Sequence, residues 1–281
     1  MRYISTPSRT KEILEQFGLK AKKGYGQNFL VDPVIVEKCA MLAHCEGAVI
    51  EVGPGIGSLT EQLARYATYV RAYEIDEGLL PVLQETLKDY KNVDVILQDF
   101  LAVDLDTEVK QLKNKYGSVA VCANLPYYIT TPVLFKIFEC PEIEYITVMV
   151  QKEVGDRFAA KPKENAYSAL SVEGQYSYDI KKLFTVPGRS FNPSPSVDSV
   201  IIQLKRKQEE IEPEEIKKHY EIIRALFKQR RKTVYNNLRE YTKDKDFTER
   251  VLAKAGIDQG RRAQELSVEE IKRLCGIVYE G

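Results

Sequence analysis

Residues 48–63 read AVIEVGPGIGSLTEQL, and this stretch decides the fold. Ala48–Val52 is a short apolar run typical of a buried strand, and glycines follow it directly. The next residues, from Ser58 to Tyr66, have the apolar spacing of a helix, and Ser58 with Glu61 matches the S-x-x-E capping box. Glycines between a strand and a helix let the backbone pass close to a ligand. The stretch therefore predicts a strand, a ligand-binding loop and a helix.

The same rhythm continues as far as about residue 151. The predicted strands are Ala48–Val52, Val70–Ile75, Val93–Gln98, Ser118–Ala123 and Tyr145–Val150. The predicted helices are Ser58–Tyr66, Leu79–Tyr90 and Pro132–Glu139. This alternation is typical of an α/β fold with a parallel sheet and helices on both faces.

After residue 151 the pattern changes. A helical piece at Lys152–Ala160 is followed, further on, by a loop rich in Pro and Ser at Pro187–Pro195 and a strand at Val197–Leu204. The chain then looks helical from Pro213 to its end. We expect a first domain of residues 1–206 and a smaller, all-helical domain of residues 207–281.

Composition excludes several classes of protein. No apolar run in the 281 residues reaches the roughly 18 needed to span a bilayer, and the first residues lack the apolar core of a signal peptide. The five cysteines are odd in number and form no CxxC pair, which fits reduced thiols in a cytosol. Neither of the two histidines lies in a metal-ligand pattern. We therefore expect a cytoplasmic protein with no membrane segment and no metal.

Charge is uneven although the net charge is zero. Residues 216–262 contain 14 Lys and Arg against 6 Asp and Glu, a balance of +8. A dense basic run on a predicted helix lies inside this region: Lys228, Arg230, Arg231 and Lys232. A second cluster consists of Lys20, Lys22 and Lys23. Either could bind RNA phosphates or could be a solvated surface.

The glycine loop and two acids indicate the class of cofactor. Glu51–Gly57 has the spacing G-x-G-x-G, whereas a dinucleotide fingerprint needs G-x-G-x-x-G. S-adenosylmethionine has no pyrophosphate, and a looser turn suffices for it. Glu74 and Asp99 end the second and third predicted strands, where carboxylates can accept from ribose hydroxyls and from an adenine amino group. NAD enzymes share the ribose-binding acid, so Glu74 alone does not separate the two classes.

Asn124-Leu125-Pro126-Tyr127 follows the fourth predicted strand and indicates the reaction. An exocyclic amine is a poor nucleophile because its lone pair is delocalised into the ring. The Asn124 side-chain oxygen and a nearby backbone carbonyl can accept from its N–H groups and expose that lone pair, while Tyr127 can stack on the base. The tetrapeptide resembles the N-P-P-Y-type motif of amino-group methyltransferases. We place Asn124, Leu125 and Tyr127 in the catalytic set.

Six segments spread over most of the chain match motifs of one family. They are Gly26–Leu30 (GQNFL), Glu51–Gly57, Asn124–Thr131 (NLPYYITT), Gln151–Val154 (QKEV), Phe191–Ser199 (FNPSPSVDS) and Phe227–Asn237 (FKQRRKTVYNN). Together they resemble the KsgA-type (RsmA) ribosomal RNA adenine dimethyltransferases, which share a superfamily with the Erm resistance methyltransferases. The last segment looks like KsgA rather than Erm. The family often has Asn where this chain has Tyr128, and we expect that position to tolerate change.

The resemblance implies a Rossmann-like class I methyltransferase domain that binds S-adenosylmethionine. The cofactor-binding residues it implies are Asn28, Leu30, Gly53, Glu74, Asp99 and Asn124. Asn28 and Leu30 would lie over the methionine end of the cofactor. In the family the loop that contains Phe191 borders the active site, so Phe191 and Tyr127 could hold the target adenine between them. A phenylalanine in a Pro-rich loop can instead be a local packing anchor.

The sequence thus predicts an enzyme that dimethylates N6 of two adjacent adenosines near the 3′ end of 16S ribosomal RNA. The resemblance implies that its partner is the immature small ribosomal subunit, and we expect a monomer. Three alternatives stay open: an Erm-like enzyme acting on large-subunit RNA, an NAD-dependent oxidoreductase, and an RNA-binding assembly factor in which catalysis is secondary.

Overall fold

The structure is a computed structural model, and it describes residues 3–19, 27–208 and 212–280. The helices are α1 (Pro7–Gln16), α2 (Pro33–Met41), α3 (Ser58–Tyr66), α4 (Leu80–Thr86), α5 (Leu105–Tyr116), α6 (Thr130–Phe138), α7 (Lys152–Ala159), α8 (Ala169–Ser177), α9 (Pro213–Phe227), α10 (Val234–Thr242), α11 (Lys245–Ala255) and α12 (Val268–Glu280). The strands are β1 (Phe29–Leu30), β2 (Ala48–Val52), β3 (Tyr69–Glu74), β4 (Val93–Leu97), β5 (Val119–Asn124), β6 (Tyr145–Gln151), β7 (Tyr178–Val186), β8 (Phe191–Asn192) and β9 (Ser199–Arg206). None of the helices in the described ranges is long and apolar enough to cross a membrane.

Seven strands form one sheet in the order β4-β3-β2-β5-β6-β9-β7. The five strands β2 to β6 are parallel to one another, as the alternation of strands and helices predicted. The chain moves outward from β2 to β4 and then returns to pair β5 with β2. The strand order therefore reverses between β2 and β5, and ligands bind beyond the carboxyl ends of the strands at such a switch point.

β9 departs from the parallel pattern. It pairs antiparallel with β6, so that Ser199 lies opposite Gln151 and Lys205 opposite Tyr145. An antiparallel strand can enter the sheet from the edge at which its neighbour ends, with no crossover helix. The start of β9 consequently lies at the same edge of the sheet as the carboxyl ends of the parallel strands.

Helix α5 follows β4 and was not among the predicted elements. Its N-cap is Asp104, whose side chain accepts a hydrogen bond from Thr107 N at 3.2 Å. The buried positions Leu105, Val109 and Leu112 have the spacing of a helix that packs one face on the sheet. The cap and the periodicity are both visible in the sequence, so this helix could have been predicted.

The start of α3 corrects the predicted capping box. The N-cap is Gly57, in the left-handed conformation with φ of 92°, and Ser58 is already the first helical residue. The Ser58 hydroxyl is buried without a hydrogen-bond partner. Glu61 accepts from the backbone N–H of Ile4 at 2.9 Å instead of capping its own helix. The S-x-x-E pattern was therefore a wrong prediction here, because the glycine turn ends one residue before the serine.

The contacts divide the chain into two compact units. One consists of Met1–Gly155 with Lys181–Arg206, and the other of Asp156–Ile180 with Lys207–Gly281. The second unit packs α8 against α9, where the buried Glu173 carboxylate receives two hydrogen bonds from Arg224 at 2.8 Å each. This ion pair is one of the contacts that group Asp156–Ile180 with the later helices. The division by function after residue 206 stays a prediction.

The sequence pattern placed the basic run of residues 228–232 on a helix. In the structure this run instead connects α9 to α10. The buried Asn237 side chain accounts for the break. Its amide donates to the Leu226 carbonyl at 2.7 Å, which satisfies a carbonyl in the last turn of α9, and to the Gln229 carbonyl at 3.1 Å, just beyond that helix. Thr233 then caps α10 through its side chain. The prediction that this basic run lies on a helix was therefore wrong.

Candidate active site

A pocket opens at the carboxyl ends of β2, β3, β4 and β5, at the switch point of the sheet. The predicted cofactor residues that line it are Asn28, Leu30, Gly53, Glu74, Asp99 and Asn124. Leu125 and Tyr127 line the same pocket. The structure thus brings together residues that are almost a hundred positions apart in the chain. Their individual roles stay predictions.

The glycine loop forms the floor of this pocket. Gly53, Gly55 and Gly57 all have positive φ angles, of 72°, 62° and 92°. That conformation is strained for residues with a Cβ atom, which explains the three glycines. A Cβ at Gly53 would lie 3.5 Å from Pro126, and one at Gly55 would lie 3.6 Å from Phe29. The loop is therefore packed between the N-L-P-Y turn and the Q-N-F-L segment.

Glu74 ends β3 and is held by three backbone N–H groups. Its Oε1 accepts from Ile75 at 2.9 Å and from Asp76 at 2.8 Å, and its Oε2 accepts from Gly55 at 3.3 Å. Burial raises the pKa of the carboxyl group, while these hydrogen bonds oppose the shift. A carboxylate has about four acceptor positions, so three backbone donors leave capacity for a ligand hydroxyl.

Glu51 is a pocket residue to which the sequence analysis assigned no role. Its side chain is 1% exposed, and its Oε2 has no hydrogen-bond partner. Burial raises the pKa of Glu51 to about 8, with a smaller contribution in the same direction from the negative charge of Glu74. A buried carboxyl group with an unpartnered oxygen costs free energy unless a ligand supplies the missing hydrogen bond or an opposite charge. The signal was present in the sequence, because Glu51 lies two residues before Gly53, the first glycine of the loop.

The charges of the lining distinguish between classes of ligand. Three acidic side chains, Glu51, Glu74 and Asp99, line the pocket, and none of its described lining residues is a lysine, an arginine or a histidine. No described side chain of the pocket could neutralise a pyrophosphate, whereas the acidic side chains would attract a cationic ligand. The residues therefore fit S-adenosylmethionine, with its sulfonium and ammonium groups. Within the described ranges, no group of His, Cys, Asp and Glu side chains could hold a metal ion.

Asp99 lies beyond the end of β4 at the exposed side of the pocket. Its Oδ1 accepts from the backbone N–H of Leu101 at 2.9 Å, which orients the carboxylate at the start of a single helical turn. Lys136 of α6 donates to the Leu101 carbonyl at 2.9 Å and ties the same turn to the helix that follows N-L-P-Y. The second oxygen of Asp99 can then accept from an amino group of a ligand.

The N-L-P-Y turn begins where β5 ends. The Leu125 N–H donates to the Met149 carbonyl of β6 at 3.2 Å, and the Leu125 side chain is buried. Thr130 donates its hydroxyl proton to the Pro126 carbonyl at 3.0 Å. The Tyr127 hydroxyl lies 2.9 Å from Ser199 Oγ, and burial raises the pKa of the phenol. The turn is thus fixed on both sides, and the Tyr127 ring stays neutral.

The Q-N-F-L segment is positioned by contacts that its local sequence does not reveal. Gln27 donates from its side-chain amide to Asp76 Oδ2 at 2.9 Å, which ties the segment to the turn after β3. The next two residues after Asn28 form β1, which pairs antiparallel with β8. Asn28 is therefore held between two anchored points at the pocket wall.

Phe191 is placed differently from the other predicted catalytic residues. It lies in β8 opposite Leu30, is 4% exposed, and packs in an apolar cluster with Leu30 and Val186. It is not among the residues that line the pocket. This placement agrees with a local packing anchor. The role of Phe191 in stacking on the target base stays a prediction.

The predicted RNA-binding residues of the basic run are exposed, but they differ in their partners. Lys228 Nζ lies 2.6 Å and Lys232 Nζ 3.5 Å from carboxylate oxygens of Glu240, and Lys228 lowers the pKa of that carboxyl. Arg230 donates to the Asn165 carbonyl at 2.9 Å. Arg231 is exposed. Glu240 therefore compensates part of the positive charge of this loop.

Lys22 and Lys23, with the neighbouring Lys20, lie in residues 20–26, outside the described residues. Their predicted contacts with RNA stay a prediction.

Comparison with known proteins shows the family to which this chain belongs. The profile of a family described as "Ribosomal RNA adenine dimethylase" matches residues 18–279. Relatives named "Ribosomal RNA small subunit methyltransferase A" are 45% identical in Bacillus cytotoxicus and 46% identical in Bacillus mycoides. Each of these comparisons covers 98% of this chain and 97% of the relative.

Two solved structures are also similar. A dimethyladenosine transferase from Plasmodium falciparum is 25% identical with a TM-score of 0.67, over 88% of this chain and 95% of that one. The 23S rRNA methyltransferase ErmE is 28% identical with a TM-score of 0.61, over 90% of this chain and 100% of that one. Because the family profile matches nearly the whole chain, this protein belongs to the ribosomal RNA adenine dimethylase family, the enzymes that dimethylate adenine in ribosomal RNA.

Proposed function

We propose that the chain transfers methyl groups from S-adenosylmethionine to N6 of two adjacent adenosines near the 3′ end of 16S ribosomal RNA. The product is N6,N6-dimethyladenosine, and the substrate is an immature small ribosomal subunit. The observation that carries the proposal is an acidic pocket, without a described cationic side chain, that opens beside Asn124 and Tyr127. The names of the relatives at 45% and 46% identity support the choice of the small subunit.

Three acids would hold the methyl donor. Glu74 would accept from its ribose hydroxyls and Asp99 from its adenine amino group. Glu51, buried and with one oxygen unpartnered, would release its proton when the positively charged methionine end binds beside it, and its carboxylate would then balance that charge. When bound, S-adenosylmethionine supplies an electrophilic methyl group, so the protein itself needs no nucleophile.

Asn124 would prepare the acceptor. It ends β5 between the glycine loop and the turn that contains Tyr127, and its side-chain oxygen would accept from an N–H of the target amine. That hydrogen bond favours a pyramidal nitrogen and frees the lone pair. A methylated ring amine carries a positive charge and loses a proton readily to water, so a strong general base is not required. The contribution of the chain is orientation and electrostatic complementarity.

Tyr127 would hold the target base. Its hydroxyl group is tied to Ser199, so the ring has a defined orientation before the RNA binds. Aromatic faces hold bases that have left their stack. The second face of the adenine would meet the region of Phe191, as the family resemblance implies.

Methyl transfer to purified subunits tests the proposal. Tritiated S-adenosylmethionine would be incubated with the enzyme and unmodified small or large subunits, and the labelled RNA digested to nucleosides. We expect label in N6,N6-dimethyladenosine from small subunits. Label in cytosine would contradict the assigned base. Large subunits are included because the chain is similar to ErmE. Label found only in large-subunit RNA would favour an Erm-type substrate.

We also propose a division of roles within the chain. Residues 1–206 would carry catalysis, and residues 207–281 would bind RNA through the loop that contains Lys228, Arg230, Arg231 and Lys232. Lys22 and Lys23 would add to this binding. The protein would act in the cytoplasm as a monomer, and ribosome assembly would be its setting.

A further inference from the structure

Three exposed apolar side chains surround the mouth of the pocket. Ile75 follows β3, Leu101 follows β4 and Tyr128 follows β5, and they are 46%, 36% and 51% exposed. Soluble proteins rarely group large apolar side chains at the surface unless something binds there. The pocket floor is acidic, so its apolar rim fits a flat, uncharged group rather than a phosphate.

Tyr128 differs from its neighbour Tyr127 in a way that matters for RNA. Tyr127 is partly buried and its hydroxyl is engaged with Ser199, so its ring belongs to the interior of the site. Tyr128 also lines the pocket, yet half of its surface is exposed. Tyr127 thus lies deeper in the pocket, and Tyr128 lies at its mouth.

The proposed substrate has two adjacent adenosines, and only one can enter the pocket at a time. One phosphodiester joins them, so the second adenosine must stay at the mouth while the first is methylated. We infer that Tyr128 stacks on this second adenosine and positions the pair. The inference rests on the proposed function, and it assigns a role to a position for which the sequence alone indicated tolerance of change.

The physical reason for such a contact is the cost of taking a base out of its stack. A base that is lifted into the pocket loses the stacking partner beside it, and so does its neighbour. An exposed ring at the mouth replaces the lost stack of the neighbour. Base–aromatic stacking is worth about 1–3 kcal/mol by substitution, which corresponds to roughly five- to 150-fold in binding.

A cycle of protein and RNA substitutions tests the inference. Small subunits would be reconstituted from 16S transcripts that carry either both adenosines or a uridine in place of one of them. Wild type, Tyr128→Phe and Tyr128→Leu would be compared by kcat/KM for methylation of the remaining adenosine. Tyr66→Leu is the matched control, because Tyr66 is exposed on α3 and does not line the pocket.

On unaltered subunits we expect about a tenfold lower kcat/KM for Tyr128→Leu, carried mainly by KM, and less than a twofold change for Tyr128→Phe and for Tyr66→Leu. On uridine-substituted subunits, the advantage of wild type over Tyr128→Leu should be measurably smaller, because uracil stacks on an aromatic ring less strongly than adenine does. Affinity for S-adenosylmethionine, measured by calorimetry, should be unchanged in each variant.

Equal kcat/KM for wild type and Tyr128→Leu on unaltered subunits would overturn the inference alone. It would also be overturned if the RNA and protein substitutions acted independently, or if Tyr128→Leu lost cofactor affinity. If wild type does not methylate small subunits at all, the proposed function is wrong, and this inference falls with it.

Discussion

The hydroxyl group of Tyr127 lies 2.9 Å from Ser199 Oγ and joins the turn after β5 to the first residue of β9. These residues are 72 positions apart in the chain. They meet because β9 enters the sheet antiparallel to β6 and begins at the edge where β5 and β6 end. One hydrogen bond therefore couples the sheet topology to the orientation of the ring that is proposed to hold the base.

Removal of the hydrogen bond between Tyr127 and Ser199 should lower the stability of the protein measurably. Tyr127→Phe and Ser199→Ala should each lower the free energy of unfolding by about 1 kcal/mol, the usual net value of one hydrogen bond. The double variant should lose little more than either single variant, because both remove the same contact. Urea denaturation of the four proteins gives the coupling energy. Fully additive losses would show that the two hydroxyl groups do not interact.

Glu74→Ala should weaken binding of S-adenosylmethionine by about 1.5–3 kcal/mol, the range for hydrogen bonds to a charged group. Glu74→Gln keeps one acceptor oxygen and should fall between this variant and wild type. Glu77→Ala is the matched control, since Glu77 is exposed on the next turn and does not line the pocket. Calorimetry measures the affinity, and circular dichroism checks the fold. An unchanged affinity in folded Glu74→Ala would refute the proposed ribose contact.

Asn124→Ala should lower kcat about a hundredfold or more, because it removes one preorganised group from the transition state. Cofactor affinity should change much less than turnover. Asn114→Ala, at an exposed position of α5, controls for the loss of an asparagine elsewhere. Single-turnover methylation of small subunits at saturating cofactor separates the chemical step from binding. Near-normal rates in the Asn124 variant would remove this residue from the catalytic set.

Glu51 should make stability depend on pH. Burial raises its pKa from an ordinary value near 4.5 to about 8, so the folded protein keeps a proton that the unfolded chain releases. The unfolding free energy should therefore fall as the pH rises from about 4.5 to about 8. Glu51→Gln has no such proton to lose, and its stability advantage over wild type should grow from pH 5 to pH 8.

Urea denaturation of cofactor-free wild type and Glu51→Gln at a series of pH values measures this dependence. The comparison needs both proteins at each pH, because other groups titrate in the same range. Parallel curves for the two proteins would mean that Glu51 is not held protonated in the folded state.

Two substitutions in or beside the basic run of residues 228–232 should change the salt dependence of RNA binding in opposite directions. Arg231→Ala removes a phosphate contact and should reduce the slope of log K against log salt by roughly 0.7–0.9. Glu240→Gln releases Lys228 and Lys232 from their ion pairs and should increase affinity for small subunits and steepen the slope. Filter binding at several salt concentrations measures both. Lys254→Ala, exposed in the same unit, is the matched control.

Unchanged slopes in both variants would show that the loop is a solvated surface. The search for phosphate contacts would then move to Lys20, Lys22 and Lys23.

Local patterns predicted the elements that build the site. The strand at Ala48–Val52 and the helix at Ser58–Tyr66 have the bounds that their sequence indicated. Alternation and helical periodicity are properties of residues close together in the chain, so they can be recognised without knowledge of the fold. The S-x-x-E pattern did not predict the cap of α3, because a motif of four residues does not show where the preceding turn ends.

By itself the sequence determined the chemistry of this protein: a glycine loop, acids at the ends of successive strands, and N-L-P-Y after the fourth. Only the tertiary structure decided that Glu51 is buried without a full set of partners, that Phe191 packs in a core, and that Glu240 pairs with Lys228. Burial and pairing depend on which distant residues come together. They change the pKa, exposure and effective charge of a side chain whose identity the sequence already states.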